Sequence, residues 1–274
     1  MIKTILVLAD DTPTIDATLL SAIELGRRFE AHLDVLHVRS DPTSLIPVAG
    51  GELPAPIIEE VSNTVEQTEE ERASKVRAAY DRLCGQAGVS SSLHVATGWK
   101  PDIAAAAGRP RDLIVVGPPE DLADAMWKST VNALLFDSGR PVLLLQAVPM
   151  PLFGESVALA WNGSAQAAHA AAAALPFFRL AKRTDVLTAG AIDPYASTAE
   201  LVTCLARHGI GAVPRVFEPS YVPIGQALLE QSRLVNSTLL VMGAYSHSRL
   251  REVILGGATR EVLSIANMPV LMVH

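Results

Sequence analysis

A glycine-rich segment near the C-terminal end of the sequence has the composition of a phosphate-binding loop. The apolar run LLVMG (239–243) predicts a strand, a basic stretch (247–251) follows it, and Gly256-Gly257-Ala258-Thr259 opens a predicted helix. The first N–H groups of a helix lack acceptors and its dipole is positive there, so this end attracts anions. Glycines let phosphate oxygens approach these donors, and Thr259 adds a hydroxyl. The glycines by themselves are equally consistent with a tight turn between two helices.

Other chemistry finds little support in the residue spacing. The seven histidines are not spaced as metal ligands, so no metal site is predicted. No Gly-x-Ser-x-Gly elbow follows a strand and no Gly-x-Gly-x-x-Gly follows either first strand, which argues against a serine hydrolase and a dinucleotide dehydrogenase. Glu252 is the one acidic residue in the loop, which offers no evident general base or Mg²⁺ ligand. No catalytic residue is therefore predicted, and enzymatic activity is not expected beyond weak ATP hydrolysis.

The elements that must position this loop occur twice along the chain. Short apolar runs alternate with helical stretches, and the order of the runs is the same in both halves. The runs are ILVLAD (5–10), DVLHV (34–38), DLIVVG (112–117) and RPVLLLQ (140–146), then VALAWNGS (157–164), DVLTA (185–189), LLVMG (239–243) and MPVLMVH (268–274).

The offsets between the two copies indicate one insertion. Asp10 corresponds to Asn162, an offset of 152, whereas Pro141 corresponds to Pro269, an offset of 128. The first copy therefore carries about 24 extra residues, which fall within 41–79. We predict a first domain over residues 1–148 and a second over 153–274.

The predicted fold class is α/β, with two tandem doubly wound, Rossmann-like domains. The Val/Ile/Leu-rich runs are continuous and not alternating, which is typical of parallel strands covered by helices on both faces. We expect each domain to hold a mainly parallel five-stranded sheet. The last strand of each copy would leave an apolar sheet edge, and two such edges can pair. We therefore expect an intramolecular pseudo-dimer, with a homodimer as a further option.

The loop resembles the C-terminal signature of the universal stress protein family, in which a Gly, two residues, a Gly, nine residues and Gly-Ser/Thr bind ATP. Here the spacing runs from Gly243 over two residues to Ser246, then over nine residues to Gly256-Gly257. Ser246 stands where the second Gly is usual, and Gly257 where Ser or Thr is usual. The resemblance extends over nearly the whole chain, as a tandem two-domain member.

The resemblance implies an adenine nucleotide site in the second copy. It assigns adenine packing and backbone contact to three residues, ribose contact to two and phosphate binding to the rest. In that order the residues are Ala160, Ala189 and Met242; Asn162 and Gly243; and Ser246, Gly256, Gly257, Ala258 and Thr259.

Three residues near the strand ends have alternative interpretations. Thr12 and Ser164 either lie near the nucleotide or cap the helices that follow, and capping is the interpretation we prefer. Trp161 either floors a pocket or packs in the core.

The first copy has the same strand but a different loop. Gly117 is followed by Pro118-Pro119-Glu120-Asp121, which places rigid rings and negative charge where an anion should bind. We predict that the first copy binds no nucleotide.

Composition limits the remaining possibilities. The net charge of −7 and the lack of a Lys/Arg cluster argue against nucleic acid as a partner. No apolar stretch reaches the roughly 20 residues that span a bilayer. The first residues read as a strand and not as a secretory signal, so no membrane association and a cytoplasmic location are expected. Cys84 and Cys204 lack a CxxC spacing and are predicted as buried free thiols.

Three functions remain. The first is a stress-response protein that binds ATP as a regulatory or structural ligand. The second is a nucleotide-free interaction or signalling module of the same fold, with a protein partner that the sequence does not identify. The third is a slow ATPase that uses Mg²⁺.

Overall fold

The structure is a computed structural model that describes residues 1–41, 55–121, 124–148, 153–190, 192–218, 221–245 and 257–274, with the backbone alone at 55–58. The chain forms two compact units. The N-terminal unit contains Ile2–Arg140 with Ala147–Pro149, and the C-terminal unit contains Met150–His274 with Pro141–Gln146. A search of the described helices finds none that is long and apolar enough to cross a membrane.

The N-terminal unit has a parallel sheet in the order β3-β2-β1-β4. Its strands are almost fully buried where the sequence has continuous Val, Ile and Leu, as in β1 and β4. Parallel neighbours are joined by right-handed crossovers, so the helices cover both faces of the sheet. The elements are β1 (Thr4–Leu8), α1 (Ile15–Phe29), β2 (His32–Arg39), α2 (Ala55–Leu83), β3 (Ser91–Thr97), α3 (Lys100–Gly108), β4 (Leu113–Val116) and α4 (Ala125–Asp137).

The C-terminal unit has a six-stranded sheet in the order β5-β10-β9-β6-β7-β8. All pairs in it are parallel except β5 with β10. The elements are β5 (Val142–Leu144), β6 (Ser156–Ala160), α5 (Ala165–Ala173), α6 (Leu175–Leu180), β7 (Arg183–Ala189), α7 (Thr198–Arg207), β8 (Ala212–Phe217), α8 (Ile224–Leu234), β9 (Leu239–Gly243), α9 (Gly257–Ile265) and β10 (Val270–Val273).

The duplicated α/β organisation predicted from sequence is confirmed. In each copy the first strand lies beside the fourth, so the strand order reverses between β1 and β4 and between β6 and β9. The insertion coincides with the long helix α2, whose counterpart α7 has 10 residues against 29. The Ala-rich stretch 165–180 forms two helices, because Pro176 cannot continue the hydrogen bonding of α5 and lies in the first turn of α6.

The terminal strands of the two copies pair with each other, as their apolar edges predicted. Val142 lies opposite Met272 and Leu144 opposite Val270 in an antiparallel ladder. The side chain of Gln146 extends the contact by donating a hydrogen bond to the Met268 carbonyl at 2.8 Å. Strand β5 is therefore not left as an open apolar edge.

A glycine ends the fourth strand of each copy for a steric reason. A Cβ on Gly243 would lie 2.6 Å from the backbone nitrogen of Ala167, because the first turn of α5 crosses the end of β9. A Cβ on Gly117 would overlap the hydroxyl of Thr18 in α1. The family resemblance implies a ribose contact for Gly243, and the structure adds a role in helix packing.

Two local predictions are wrong. Cys84 is buried, but Cys204 is exposed because it lies on a side of α7 that the sheet does not cover. Thr12 does not cap α1: the helix begins after Thr14, and the Thr12 hydroxyl hydrogen-bonds the Thr14 hydroxyl at 3.1 Å.

Candidate functional site

A cavity of about 280 Å³ opens in the C-terminal unit at the carboxyl ends of β6, β7 and β9. It lies where the strand order reverses, which is the usual place for a ligand in an open α/β sheet. Helices α5, α8 and α9 close its sides. Its lining residues are Ala160, Trp161, Asn162, Ser164, Ala167, Leu187, Ala189, Ile224, Leu228, Met242, Gly243, Gly257, Ala258 and Thr259.

The residues assigned to the site from sequence converge on this cavity wherever the structure describes them. The convergent residues are Ala160, Asn162, Ala189, Met242, Gly243, Gly257, Ala258 and Thr259. Ser246 and Gly256 lie outside the described residues. Helix α8 adds an apolar wall, formed by Ile224 and Leu228, that was not predicted from the sequence.

The inner wall of the cavity is apolar and close-packed. Leu187 and Met242 are buried, and the small side chains of Ala160 and Ala189 leave room above the strand ends. Trp161 joins this wall: its side chain is largely buried, and its indole nitrogen donates to the Ala196 carbonyl at 2.8 Å. Trp161 fits both interpretations, since it is buried in the core and lines the cavity. An apolar wall with few polar groups is typical of a site for a flat organic ring.

Polar groups at the end of β6 are arranged by the start of α5. The Asn162 side-chain oxygen accepts from the Ser164 N–H at 3.1 Å, and the Ser164 hydroxyl accepts from the Ala167 N–H at 3.2 Å. Gly163 joins them with a φ of 74°, a conformation that favours glycine. Ser164 therefore caps α5, as preferred from sequence. The Asn162 amide nitrogen has no partner among the described residues and can donate to a ligand.

The first turn of α9 is held by Thr259. Its hydroxyl is buried and accepts a hydrogen bond from the Tyr245 N–H at 3.1 Å, across the end of β9. Tyr245 has a φ of 60°, and its ring packs against His274. Burial raises the pKa of Tyr245 to about 12, so this phenol stays neutral at physiological pH. The hydroxyl that sequence analysis assigned to phosphate thus already holds the site together, and it keeps one proton to donate.

The described lining of this cavity carries no charged side chain. The positive character available there comes from the first-turn N–H groups of α9, which have no acceptor within their own helix. Within the described ranges, no group of three or more His, Cys, Asp or Glu side chains could hold a metal ion. The geometry therefore suits binding of a neutral ring system with an anionic end, and no described side chain is positioned for acid–base chemistry on it.

The N-terminal unit has a smaller cavity, of about 130 Å³, at the equivalent strand ends. Several of its polar residues are already paired: Lys100 forms an ion pair with Asp10, and the Trp127 indole donates to the Gly117 carbonyl at 2.9 Å. Asp124 caps α4 by accepting the N–H groups of Met126 and Trp127 at 2.8 and 3.1 Å. The protein's own carboxylate thus occupies the helix end where an anionic ligand would bind.

Comparisons with known proteins agree with the fold. The family model of the universal stress protein family matches residues 1–146. A universal stress protein from Archaeoglobus fulgidus is 16% identical over 98% of this chain and 95% of its own, with a TM-score of 0.73. A functionally unknown protein from Pseudomonas aeruginosa is 17% identical over 99% and 92%, with a TM-score of 0.61. At these identities the structures support the fold alone. No curated protein matches significantly.

Proposed function

Because the chain belongs to the universal stress protein family, we propose that its C-terminal unit binds an adenine nucleotide, with ATP as the ligand that the family signature implies. The ligand serves a regulatory or structural role in a cytoplasmic stress-response protein. The observation that supports this proposal is that the described residues among those assigned by the resemblance converge on one cavity of about 280 Å³ at the reversal of strand order.

Each wall of the cavity has a role in this proposal. The adenine ring packs against Ala160, Ala189 and Met242, with Trp161 beside them. The Asn162 amide donates to the ribose. The phosphates lie at the first turn of α9, whose N–H groups supply hydrogen bonds and partial positive charge.

The first experiment asks whether the protein retains or binds the ligand. The purified protein is denatured, its supernatant is separated by anion exchange, and the refolded or untreated protein is titrated with AMP, ADP and ATP by calorimetry. We expect adenine nucleotide in the supernatant or a saturable titration. If neither appears and millimolar nucleotide leaves the melting temperature unchanged, the proposal is wrong, and the nucleotide-free interaction module becomes the better account.

The Ala258→Asp variant tests the site itself. Ala258 lies in the first turn of α9 and lines the cavity, so an aspartate there repels phosphate. An acidic residue in a first turn is favourable for the helix, so the fold should be retained. We expect ATP affinity to fall roughly tenfold or more.

Ala199→Asp is the matched control. It adds the same charge to the first turn of α7, at an exposed residue that does not line the cavity. ATP affinity should stay within about twofold of the wild type. Equal losses in the two variants would show that the added charge acts non-specifically and would remove the support for this cavity. ADP production that Ala258→Asp abolishes would add slow ATP hydrolysis to the function.

A further inference from the structure

A carboxylate of α9 lies on the first turn of a second helix beside the cavity. The Glu261 side chain accepts a hydrogen bond from the Gly225 backbone N–H at 2.8 Å. Gly225 belongs to the first turn of α8, which is 36 residues earlier in the chain. The bond therefore joins two helices that both contribute to the walls of the cavity.

The surrounding backbone fixes this carboxylate between the two helix starts. A Cβ on Gly225 would lie 2.7 Å from the Ala258 carbonyl oxygen and 2.9 Å from one carboxylate oxygen of Glu261, so only glycine allows the close contact. A Cβ on Gly257 would lie 3.5 Å from the other carboxylate oxygen. One oxygen of Glu261 thus lies at the start of α8 and the other near the start of α9.

This position places a full negative charge next to the proposed phosphate end of the site. Gly257 and Ala258 line the cavity, so phosphates bound to their N–H groups would lie in the field of the Glu261 carboxylate. At a separation of one to two helical turns, with an effective dielectric constant of about 20 and salt screening, this repulsion lowers the affinity for ATP by roughly tenfold. The described lining contains no cationic side chain, and the basic stretch 247–251 lies outside the described residues.

Glu261 does not occupy the start of α9 in the way that Asp124 occupies the start of α4. Asp124 accepts the first-turn N–H groups of its own helix α4, whereas Glu261 accepts an N–H group of the neighbouring helix α8. The first turn of α9 therefore stays available to a ligand but lies in the field of a carboxylate.

We infer that Glu261 is a specificity-determining residue that makes the C-terminal site discriminate against phosphate charge, so that AMP or adenosine binds better than free ATP. This inference rests on the proposed function and names which adenine compound the site prefers. It assigns Glu261 a second role as well, since its bond to Gly225 positions α9 against α8.

The experiment measures the affinities of adenosine, AMP, ADP and ATP by calorimetry in EDTA, for the wild type, Glu261→Gln and Glu261→Ala. Glutamine removes the charge but can still accept the Gly225 N–H, whereas alanine removes both. We expect wild-type affinity to fall from AMP to ATP. In Glu261→Gln, ATP affinity should rise roughly tenfold while adenosine affinity changes less than about twofold.

Glu230→Gln is the control for net charge, because Glu230 lies on α8 and bonds the Gln226 side chain outside the cavity lining. It should leave the order of the four affinities unchanged. If Glu261→Gln changes all four ligands equally, or changes none, Glu261 does not select on charge and the inference is wrong while the proposed function stands. If no adenine compound binds to the wild type or to Glu261→Gln, both the inference and the proposed function are wrong.

Discussion

The two cavities lie at equivalent strand ends of a duplicated fold, yet their polar groups are used differently. In the N-terminal unit, Asp10 is paired with Lys100, and Asp124 occupies the start of α4. In the C-terminal unit, the equivalent helix start at Gly257 faces a cavity twice as large, with no charged side chain in its described lining. Duplication has kept the scaffold, while binding capacity depends on whether the protein's own side chains already occupy the helix end.

The geometry of the strand ends alone therefore does not define a nucleotide site. Both copies place a glycine at the end of the fourth strand, and both bring the first helix against it. The family model matches residues 1–146, which is the copy in which Asp124 occupies the helix end. The copy that the family model matches is therefore not the copy that we expect to bind the nucleotide.

The largest expected contrast between the copies is thiol reactivity. Burial raises the pKa of Cys84 to about 11, whereas Cys204 is exposed on α7. With Ellman's reagent at pH 8, we expect Cys204 to react roughly a thousandfold faster than Cys84, because thiolate is the reactive form and must be accessible. Cys204→Ser should abolish the fast phase. A fast phase that accounts for both thiols would show that the region around Cys84 opens readily.

The two strand-end glycines should differ in their tolerance of a side chain. Gly243→Ala brings the new methyl group against backbone atoms of Gln166 and Ala167, which cannot move aside, and should lower the free energy of unfolding by about 3 kcal/mol. Gly117→Ala meets the movable hydroxyl of Thr18 and should cost about 1 kcal/mol. Urea unfolding measures both. Thr18→Ala should relieve the second loss, and equal losses at the two sites would contradict the packing described here.

The sheets carry equivalent buried aspartates with different partners. Asp34 bonds Arg111 at 2.5 Å, with His32 and His94 nearby, whereas Asp185 lies between Arg183 and Arg215. Burial raises the pKa of Asp34, but the hydrogen bond and charge of Arg111 outweigh it and hold this pKa below its usual value.

A lowered pKa gives stability that is present above the unfolded-state value, near about 3.9, and that is lost as the pH falls through the folded-state value. Asp34→Asn should therefore cost about 2 kcal/mol at pH 7, and the difference from wild type should shrink below about pH 4. Thermal unfolding between pH 3 and 7 measures it. A pH-independent difference would show that the ionised carboxylate is not what stabilises the sheet.

The smallest expected effect distinguishes helix capping from nucleotide binding. Asp124→Ala and Ser164→Ala each remove a helix cap, so each should lower the free energy of unfolding by about 1 kcal/mol. Only Ser164 lines the larger cavity, so only Ser164→Ala should also weaken nucleotide binding. A change in nucleotide affinity in Asp124→Ala, in either direction, would assign the ligand to the N-terminal unit.

The fold was predictable because its determinants are local in sequence. Continuous apolar runs such as LIVV in β4 indicate strands buried on both faces, and their repetition in order indicates duplication. The family resemblance assigned strand-end residues such as Asn162, Ala189 and Met242 to the site. Their convergence agrees with the strand pattern, since parallel strands bring their carboxyl ends to one edge.

The features of the site that were not predicted depend on packing between helices and strands, which the sequence does not show. Ile224 and Leu228 line the cavity because of the way α8 lies against α9, which Gly225 and Glu261 determine across 36 residues. Cys204 was wrongly predicted to be buried. The sheet beneath α7 determines which side of this helix is exposed, and the sequence does not show that. The hydrogen bond by which Thr259 holds Tyr245 likewise joins residues 14 positions apart in the sequence.

Photoaffinity labelling identifies directly which of the two cavities binds the nucleotide. The protein is irradiated with an azido-substituted adenine nucleotide, digested, and its labelled peptides are identified by mass spectrometry, with and without excess unlabelled nucleotide. We expect label that excess unlabelled nucleotide removes on peptides that contain Trp161 or Met242, in the larger cavity. Competed label on peptides that contain Asp10 or Trp127, or no competed label at all, would contradict it.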